Sequence, residues 1–339
     1  MKFKLPAITL LFVLALSISA CGNPFAPKPT ATPIPTQTPI PTATPTPAPG
    51  RVILVASNGT AANDLQAAQS TLQNLAGSSN LVFDTRQALQ LSDVTTDVKV
   101  VVFLTPPSNL SDFTNAAKQT QFVVVSASDL SASGNLTVIQ LRPDYQAFIA
   151  GYVGSLIAND WRLGGLFTSD GPNSDVQQQA FAAGEEYFCG LCNPQYPPFV
   201  PFPIITTLPS NSDAGTWQST FSQMYTTNTS DMNTVYVDPG ASSPNLLTYL
   251  AANKLHILGG QTPTDDLKAN WAATILYDPM TTLKTVWPSL VAGKGGQTVP
   301  ASIQVTDTFD GSVGQGKLRL INETISMLLD GSLVPIPTP

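Results

Sequence analysis

Arg142 to Gly184 reads RPDYQAFIAGYVGSLIANDWRLGGLFTSDGPNSDVQQQAFAAG. Its patterning changes three times. Tyr145 to Asn159 places Phe148, Ile149, Tyr152 and Leu156 along one stripe, as an amphipathic helix does, and Gly151 and Gly154 leave room for a close neighbour. Leu163 to Thr168 (LGGLFT) is short, apolar and bounded by polar residues, which suits a buried strand. Ser169 to Asn173 is a loop, and Asp175 to Tyr187 has helical composition again. Helix, strand, loop and helix in succession are the repeat unit of a parallel α/β sheet. The stretch carries no catalytic motif, and it stands where one such sheet hands the chain to the next.

Working back from it, Arg51 to Ser57 (RVILVAS) is a nearly continuous β-branched run, the pattern of a strand buried on both faces. Asn58-Gly59 turns the chain, and Leu65, Ala68, Leu72 and Leu75 share one face of a helix over Ala61 to Ala76, closed by Gly77. Asn80 to Thr85, Val98 to Thr105, Gln121 to Ser126 and Leu136 to Leu141 are further strand candidates, with a short helix over Leu110 to Lys118. Working forward, strands are expected at Pro203–Leu208, Asn233–Val237, His256–Gly260, Ala272–Tyr277, Ser302–Thr308 and Lys317–Ile321. Helices are expected at Ala214–Tyr225, Asn245–Asn253, Met280–Val291 and Glu323–Leu329. The fold class is α/β in two lobes, each a parallel sheet flanked by helices. The first lobe is expected over residues 51–143 and the second over 144–333, with late segments crossing back to the first.

Composition narrows the function. Lys+Arg is 15 against Asp+Glu 22, a net charge of −7. There is no basic run, so a nucleic acid polymer is disfavoured as a partner. The single histidine, His256, sits at a strand start between Leu255 and Ile257, where a packed structural role fits better than catalysis. No Cys/His pair, H-E-x-x-H, Walker A or G-x-S-x-G is present, and Gly164-Gly165 lacks the spacing of a phosphate loop. Neither an enzyme nor a cofactor nor a metal site is expected. Asp170 and Asp175 are better read as solvated loop carboxylates than as a catalytic pair.

The ends address the chain to a membrane. Lys2 and Lys4 precede an apolar run, Ile8 to Leu16, which is shorter than the roughly 20 residues a spanning helix needs. Met1 to Ala20 therefore reads as an export signal. Its ending, Ile18-Ser19-Ala20-Cys21, resembles a bacterial lipobox, which implies that Cys21 carries the lipid and holds the protein on the extracytoplasmic face of the cell membrane. Acyl chains contribute about 0.8 kcal/mol per buried methylene. Residues 21–50 are rich in Pro, Thr and Ala, with almost no charge. They read as a stiff polyproline tether at about 3.1 Å per residue. Pro335 to Pro339 reads as a frayed tail. Outside the cytosol, Cys189 and Cys192 are expected to form a local disulfide. They follow a helix rather than start one, unlike a thioredoxin-type pair, and a zinc site lacks two further ligands nearby in sequence.

The segments Arg142-Pro-Asp-Tyr-Gln-Ala-Phe-Ile-Ala-Gly-Tyr-Val-Gly-Ser-Leu156, Leu163-Gly-Gly-Leu-Phe167 and Ala180-Phe-Ala-Ala-Gly184 together resemble the basic membrane protein family. Thr285 to Gly293 and Gly311 to Ile321 resemble that family's closing helix and strand. The resemblance implies a type I periplasmic-binding-protein fold and a substrate-binding lipoprotein of an ABC importer, with an ABC permease as partner. Several members bind purine nucleosides. The family's "GvD" would fall at Leu258-Gly259-Gly260-Gln261, where this chain has no carboxylate.

In parallel sheets ligands bind beyond the carboxyl ends of the strands. Asn58, Ser128, Asp170, Asn173, Asp238 and Gln261 occupy those ends, and Tyr145 stands beside them as an aromatic plate for a small polar ligand. Each of the polar six is also an ordinary turn or cap residue. Phe103 is a second aromatic candidate, although an apolar strand makes it a core residue first. A ligand-sensing module for a membrane signalling partner, or a non-transport surface lipoprotein, would use the same framework.

Overall fold

A computed structural model describes residues 48–171, 173–197, 199–227 and 231–336. The export signal, Cys21, the tether up to residue 47 and the end of the Pro-rich tail lie outside them.

The chain begins with β1 (Arg51–Val55), α1 (Ala62–Ser78), β2 (Val82–Arg86), β3 (Val98–Phe103), α2 (Leu110–Ala116), β4 (Gln121–Ser126) and β5 (Leu136–Gln140). Side chains alternate across a strand, so each β-branched run feeds two cores. Val52, Leu54, Val100, Val102, Val123 and Ile139 face α1, while Ile53, Val101, Phe122, Val124 and Val138 face α2. Each fully buried Val or Leu contributes about 1.5–3 kcal/mol.

The second run comprises α3 (Pro143–Ile157), β6 (Leu163–Thr168), α4 (Ser174–Cys189), β7 (Ile204–Leu208), α5 (Ala214–Thr227), β8 (Thr234–Val237), α6 (Pro244–Ala252), β9 (His256–Gly259) and β10 (Trp271–Asp278). After β10 come α7 (Pro279–Val291), β11 (Thr298–Pro300), β12 (Ser302–Thr306) and α8 (Gln315–Leu329).

These strands form two six-stranded sheets, ordered β2-β1-β3-β4-β5-β11 and β7-β6-β8-β9-β10-β12. Every pairing in the first is parallel. The second is parallel apart from β10 with β12. Helix α7 lies on the first sheet, where Met280, Leu283, Trp287 and Leu290 join the α1 core. The chain thus passes between sheets at Leu141-Arg142, at Asp278-Pro279 and at the single residue Ala301, which is buried. Hydrogen bonds brace the passages. Ala301 N–H donates to Gln140 O at 2.8 Å, and Ser302 N–H donates to Thr282 Oγ1 at 2.7 Å.

Helices α3 and α4 touch backbone to backbone. A Cβ built on Gly151 would lie 1.9 Å from Phe181 O, and one on Gly184 would lie 2.0 Å from Phe148 O. Only glycine fits this crossing. Gly154 instead faces the side chain of Leu163.

Several segments differ from the expectations drawn from the sequence. Helix α1 runs through Gly77 to Ser78, so Gly77 does not close it. Lys317 to Ile321 is not a strand but lies in the first two turns of α8, and the resemblance to a closing strand fails with it. Its Lys-Leu-Arg-Leu-Ile alternation fits period 2, but Leu318, Ile321, Ile325 and Leu328 also fall on one helical face, and packing on the core of the second sheet selects that face. Strand β11 has only three residues and ends in a proline, so it gave no strand signal. Proline is admissible there because β11 is an edge strand. The expected helix over Tyr145–Asn159 starts two residues earlier, with Pro143 in its first turn, where a missing N–H costs nothing.

Candidate functional site

The carboxyl ends of strands from both sheets converge on one cavity of about 430 Å³. From the first sheet come Ala127 to Ser131 beyond β4 and Gln140-Leu141 at the end of β5. From the second come Asn173 and Val176 at the start of α4. The passage Arg142-Pro143-Asp144 forms its floor, with Thr298 of β11 beside it.

Arg142 and Asp144 are held together by proximity in sequence. Pro143 starts α3, so Asp144 sits buried in the first helical turn, where the helix dipole favours an anion. The Arg142 guanidinium grips it with two parallel bonds, Nε to Oδ1 at 2.9 Å and Nη2 to Oδ2 at 2.5 Å. This partner raises the Arg142 pKa above its ordinary value. The same guanidinium lies 4.2 Å from the centre of the Tyr145 ring, a cation–π stack. Next along the helix, the Gln146 amide reaches into the second sheet and donates to Ile275 O at 2.7 Å, which locks α3 onto β10.

Further polar groups come from the ends of β8 and β10. Asp238 follows β8 and accepts from Gly240 N–H at 3.0 Å. Burial raises its pKa. Tyr277, near the end of β10, has a buried hydroxyl with no hydrogen-bond partner among the described residues. Burial, then the negative charges of Asp144 and Asp238, push its pKa up. The hydroxyl therefore keeps its proton and can donate. A buried hydroxyl left unpaired costs about 1–3 kcal/mol. Beside these, Ser174 Oγ–H donates to Thr168 O and holds α4 to the end of β6.

The residues singled out from the sequence fall in different places. Asn173 lines the cavity, in a left-handed conformation (φ 66°) that asparagine tolerates. Tyr145 is covered by Arg142 and the charge of Asp238 reaches Tyr277, but neither Tyr145 nor Asp238 lines the cavity. Ser128 lies exposed in the loop at the cavity wall, and its carbonyl accepts from Gln140 Nε2 at 3.2 Å. Asn58 lines a different cavity of about 420 Å³, at the ends of β1 and β2, with Thr60, Arg86 and Gln87. Asp170 and Gln261 line neither. Asp170 is exposed and accepts from Ser210 N–H (2.8 Å) and Oγ–H (2.9 Å), which lower its pKa and tie the β6 and β7 loops. Gln261 accepts through its carbonyl from Thr274. Phe103 is buried among Phe113 and Phe122 and presents no face to a ligand.

Sequence reading missed Arg142 and Tyr277 as site residues. The signal for Tyr277 was its place at the end of the apolar run Trp271 to Leu276, where a strand's carboxyl end lies. Arg142 carried none, because its role depends on Asp144 and Tyr145 being turned toward it by the helix start.

Elsewhere, His256 Nδ1 and Asp310 Oδ2 are 2.6 Å apart. The pairing anchors the segment before α8 to β9, a structural role, and raises the His256 pKa. Cys189 and Cys192 are joined as a disulfide at the far end of α4, about 24 Å of helix from Asn173.

No protein-family model matches this chain, and no curated protein matches it. Solved structures do. An ABC transporter solute-binding protein from Conexibacter woesei DSM 14684 superposes with a TM-score of 0.59 at 14% identity, covering 85% of this chain and 98% of that one. A transcriptional activator of the comK gene from Bacillus halodurans gives 0.58 at 12% identity, covering 85% and 100%. AraP, an arabinose-binding protein from Geobacillus stearothermophilus, gives 0.53 at 11% identity, covering 78% and 98%. At such identities the likeness is one of fold: the chain has the two-lobed, type I periplasmic-binding-protein-like α/β architecture.

Proposed function

We propose that the protein is a lipid-anchored extracytoplasmic solute-binding protein that captures a small polar molecule between its lobes and delivers it to an ABC permease. The observation that carries this reading is the cavity at the passage between sheets, where Arg142, Asp144, Asn173 and the strand ends of both lobes converge. Two sheets between which the described residues pass at Leu141-Arg142, Asp278-Pro279 and Ala301 can rotate about those three points, and a ligand with better contacts in the closed form shifts the population toward it. The fold neighbours named for solute binding and arabinose binding support the class. The export signal and Cys21 support the location, and the resemblance to the basic membrane protein family supports the importer.

The group at the cavity selects the ligand's chemistry. At the lining Asp144 offers acceptors, Arg142 offers donors, and Asn173 and Gln140 offer both, while the Tyr145 ring is already covered by Arg142. That set suits a neutral, hydroxyl-rich molecule, a sugar or the ribose of a nucleoside, more than an anion. The experiment is mass spectrometry of small molecules that co-purify with the chain, followed by thermal melts against sugars and nucleosides. A ligand at 100-fold its Kd stabilises by about 2.7 kcal/mol. No co-purifying compound and no shift across the panel would remove the proposal.

The comK activator supports a second reading, a ligand-sensing module without transport. A permease pulled down with the ligand-loaded protein decides for transport, and a signalling protein decides for sensing.

A further inference from the structure

Glu185 is the buried charge-bearing residue that the cleft does not use. It lies on α4, is 0% exposed, and neither carboxyl oxygen has a hydrogen-bond partner among the described residues. Burying such a group unpaired is costly. Its nearest reactive company is sulfur. Cys189 follows one helical turn later, so the two side chains share a face. Gly190, at φ 72°, and Cys192, at φ 47°, turn the chain back over the helix end. One carboxyl oxygen of Glu185, Cys189 Sγ and Cys192 Sγ all lie within 4.8 Å of one another. Cys192 is itself 2% exposed.

The surroundings fix this arrangement and favour positive charge. Asp160 accepts from Gln195 N–H at 2.7 Å, and Arg162 donates to Tyr196 O at 2.8 Å, so the segment just after Cys192 is fastened to the start of β6. The group sits at the carboxyl end of α4, the negative end of the helix dipole, with Glu186 adjacent. That is the opposite of the helix N-terminal setting that activates a CxxC pair for disulfide exchange. A carboxylate with two thiolates is instead a donor set for a borderline-soft divalent cation, leaving one position open.

We propose that Glu185, Cys189 and Cys192 form a binding site for a divalent cation of the Zn²⁺ class, available when the Cys189–Cys192 bond is reduced. Reduction by a dithiol donor breaks the S–S bond with two electrons and two protons, and the donor becomes a disulfide. The cation then replaces the protons of both thiols and of the carboxyl, three in all, which pass to solvent. The oxidised chain, in which both sulfurs are bonded to each other, has no such site.

The test uses the full chain with Cys21→Ser, so that the remaining thiols are Cys189 and Cys192. The chain is reduced with a phosphine, which leaves as its oxide with oxygen from water, then desalted without air and titrated with Co²⁺. The expected result is one equivalent bound with thiolate-to-cobalt charge-transfer absorption, displaced by Zn²⁺, and absent from the oxidised chain. Glu185→Gln keeps the shape of the neutral side chain and should weaken Co²⁺ binding at least roughly tenfold, the cost of disturbing even an outer-shell partner. Glu185→Asp, which withdraws the carboxylate by one methylene, should weaken it too, and far-UV circular dichroism confirms that each variant is folded. Absence of the absorption in the folded, reduced chain overturns the proposal. So does equal binding by the oxidised chain, or an affinity unchanged in both folded Glu185 variants.

Discussion

The first lobe takes its sixth strand, β11, in parallel beside β5, and the second takes its sixth, β12, antiparallel to β10. Up to that point the two sheets share one strand order. The cores are made differently. In the first lobe β-branched side chains fill both faces of the sheet, and helix α1 approaches through Ala68, Leu72 and Ala76. In the second, α3 and α4 meet through the backbone at Gly151 and Gly184, and aromatic rings at Phe167, Phe181 and Tyr236 pack beneath them. At the cavity Asp144 and Asn173 belong to the second lobe, while the first brings Ala127, Asp129, Leu130, Ser131 and Gln140. One topology thus supports a tolerant half and an exacting half, and both contribute a carboxylate to the cavity, Asp129 from the first and Asp144 from the second.

The sharpest way to break this comparison is at α7, which follows a second-lobe strand yet packs on the first sheet. Trp287→Ala should cost about 3–5 kcal/mol and also lose the bond from its Nε1–H to Ser79. Urea unfolding followed by a first-lobe probe should show the loss. A destabilisation confined to the second lobe would reassign the helix. Gly151→Ala should cost about 1–3 kcal/mol or more, because the neighbour that must move is backbone. Gly77→Ala in α1, where an added Cβ meets nothing within 4 Å, should instead stabilise by roughly 0.4–1 kcal/mol. Equal effects in thermal melts would erase the contrast between lobes.

Tyr277→Phe separates binding from folding. It removes a buried hydroxyl with no hydrogen-bond partner among the described residues, so the free chain should keep or gain stability. Affinity for the ligand identified by co-purification should fall about tenfold, the net worth of roughly one hydrogen bond, read by calorimetry. The smallest effect concerns pH. His256 has a raised pKa, so its bond to Asp310 contributes fully below the unfolded value of about 6.5 and is lost as pH rises through the folded value. Asp310 has a lowered pKa, and its share is lost as pH falls through that value. His256→Asn should flatten the stability profile between these limits by no more than about 1 kcal/mol, since the imidazole is 40% exposed and solvent screens it.

Much of this was legible in residue order. The runs RVILVAS, VKVVVFLT and QFVVVS announced strands covered on both faces, because no other local structure hides consecutive β-branched residues so well. Arg142 to Gly184 announced a helix–strand–helix unit with close packing. The site was legible only as a location, the carboxyl ends of strands. That rule led to Asn173, which lines the cavity, but also to Asp170, which is occupied with Ser210, and Asn58, which lines a separate cavity.

The sequence by itself determined the alternation of strands and helices, the passage near Arg142 and the pairing of Cys189 with Cys192, because each depends on neighbours along the chain. Tertiary structure decided the rest. Residues 317–321 satisfied both a strand and a helix period until the second sheet offered them a face. Three residues ending in proline became β11 because β5 left an edge open. Arg142, Asp144, Asp238 and Tyr277 came together, and Glu185 was left without a polar partner beside two sulfurs, because contacts between distant segments are set by packing and not by local propensity.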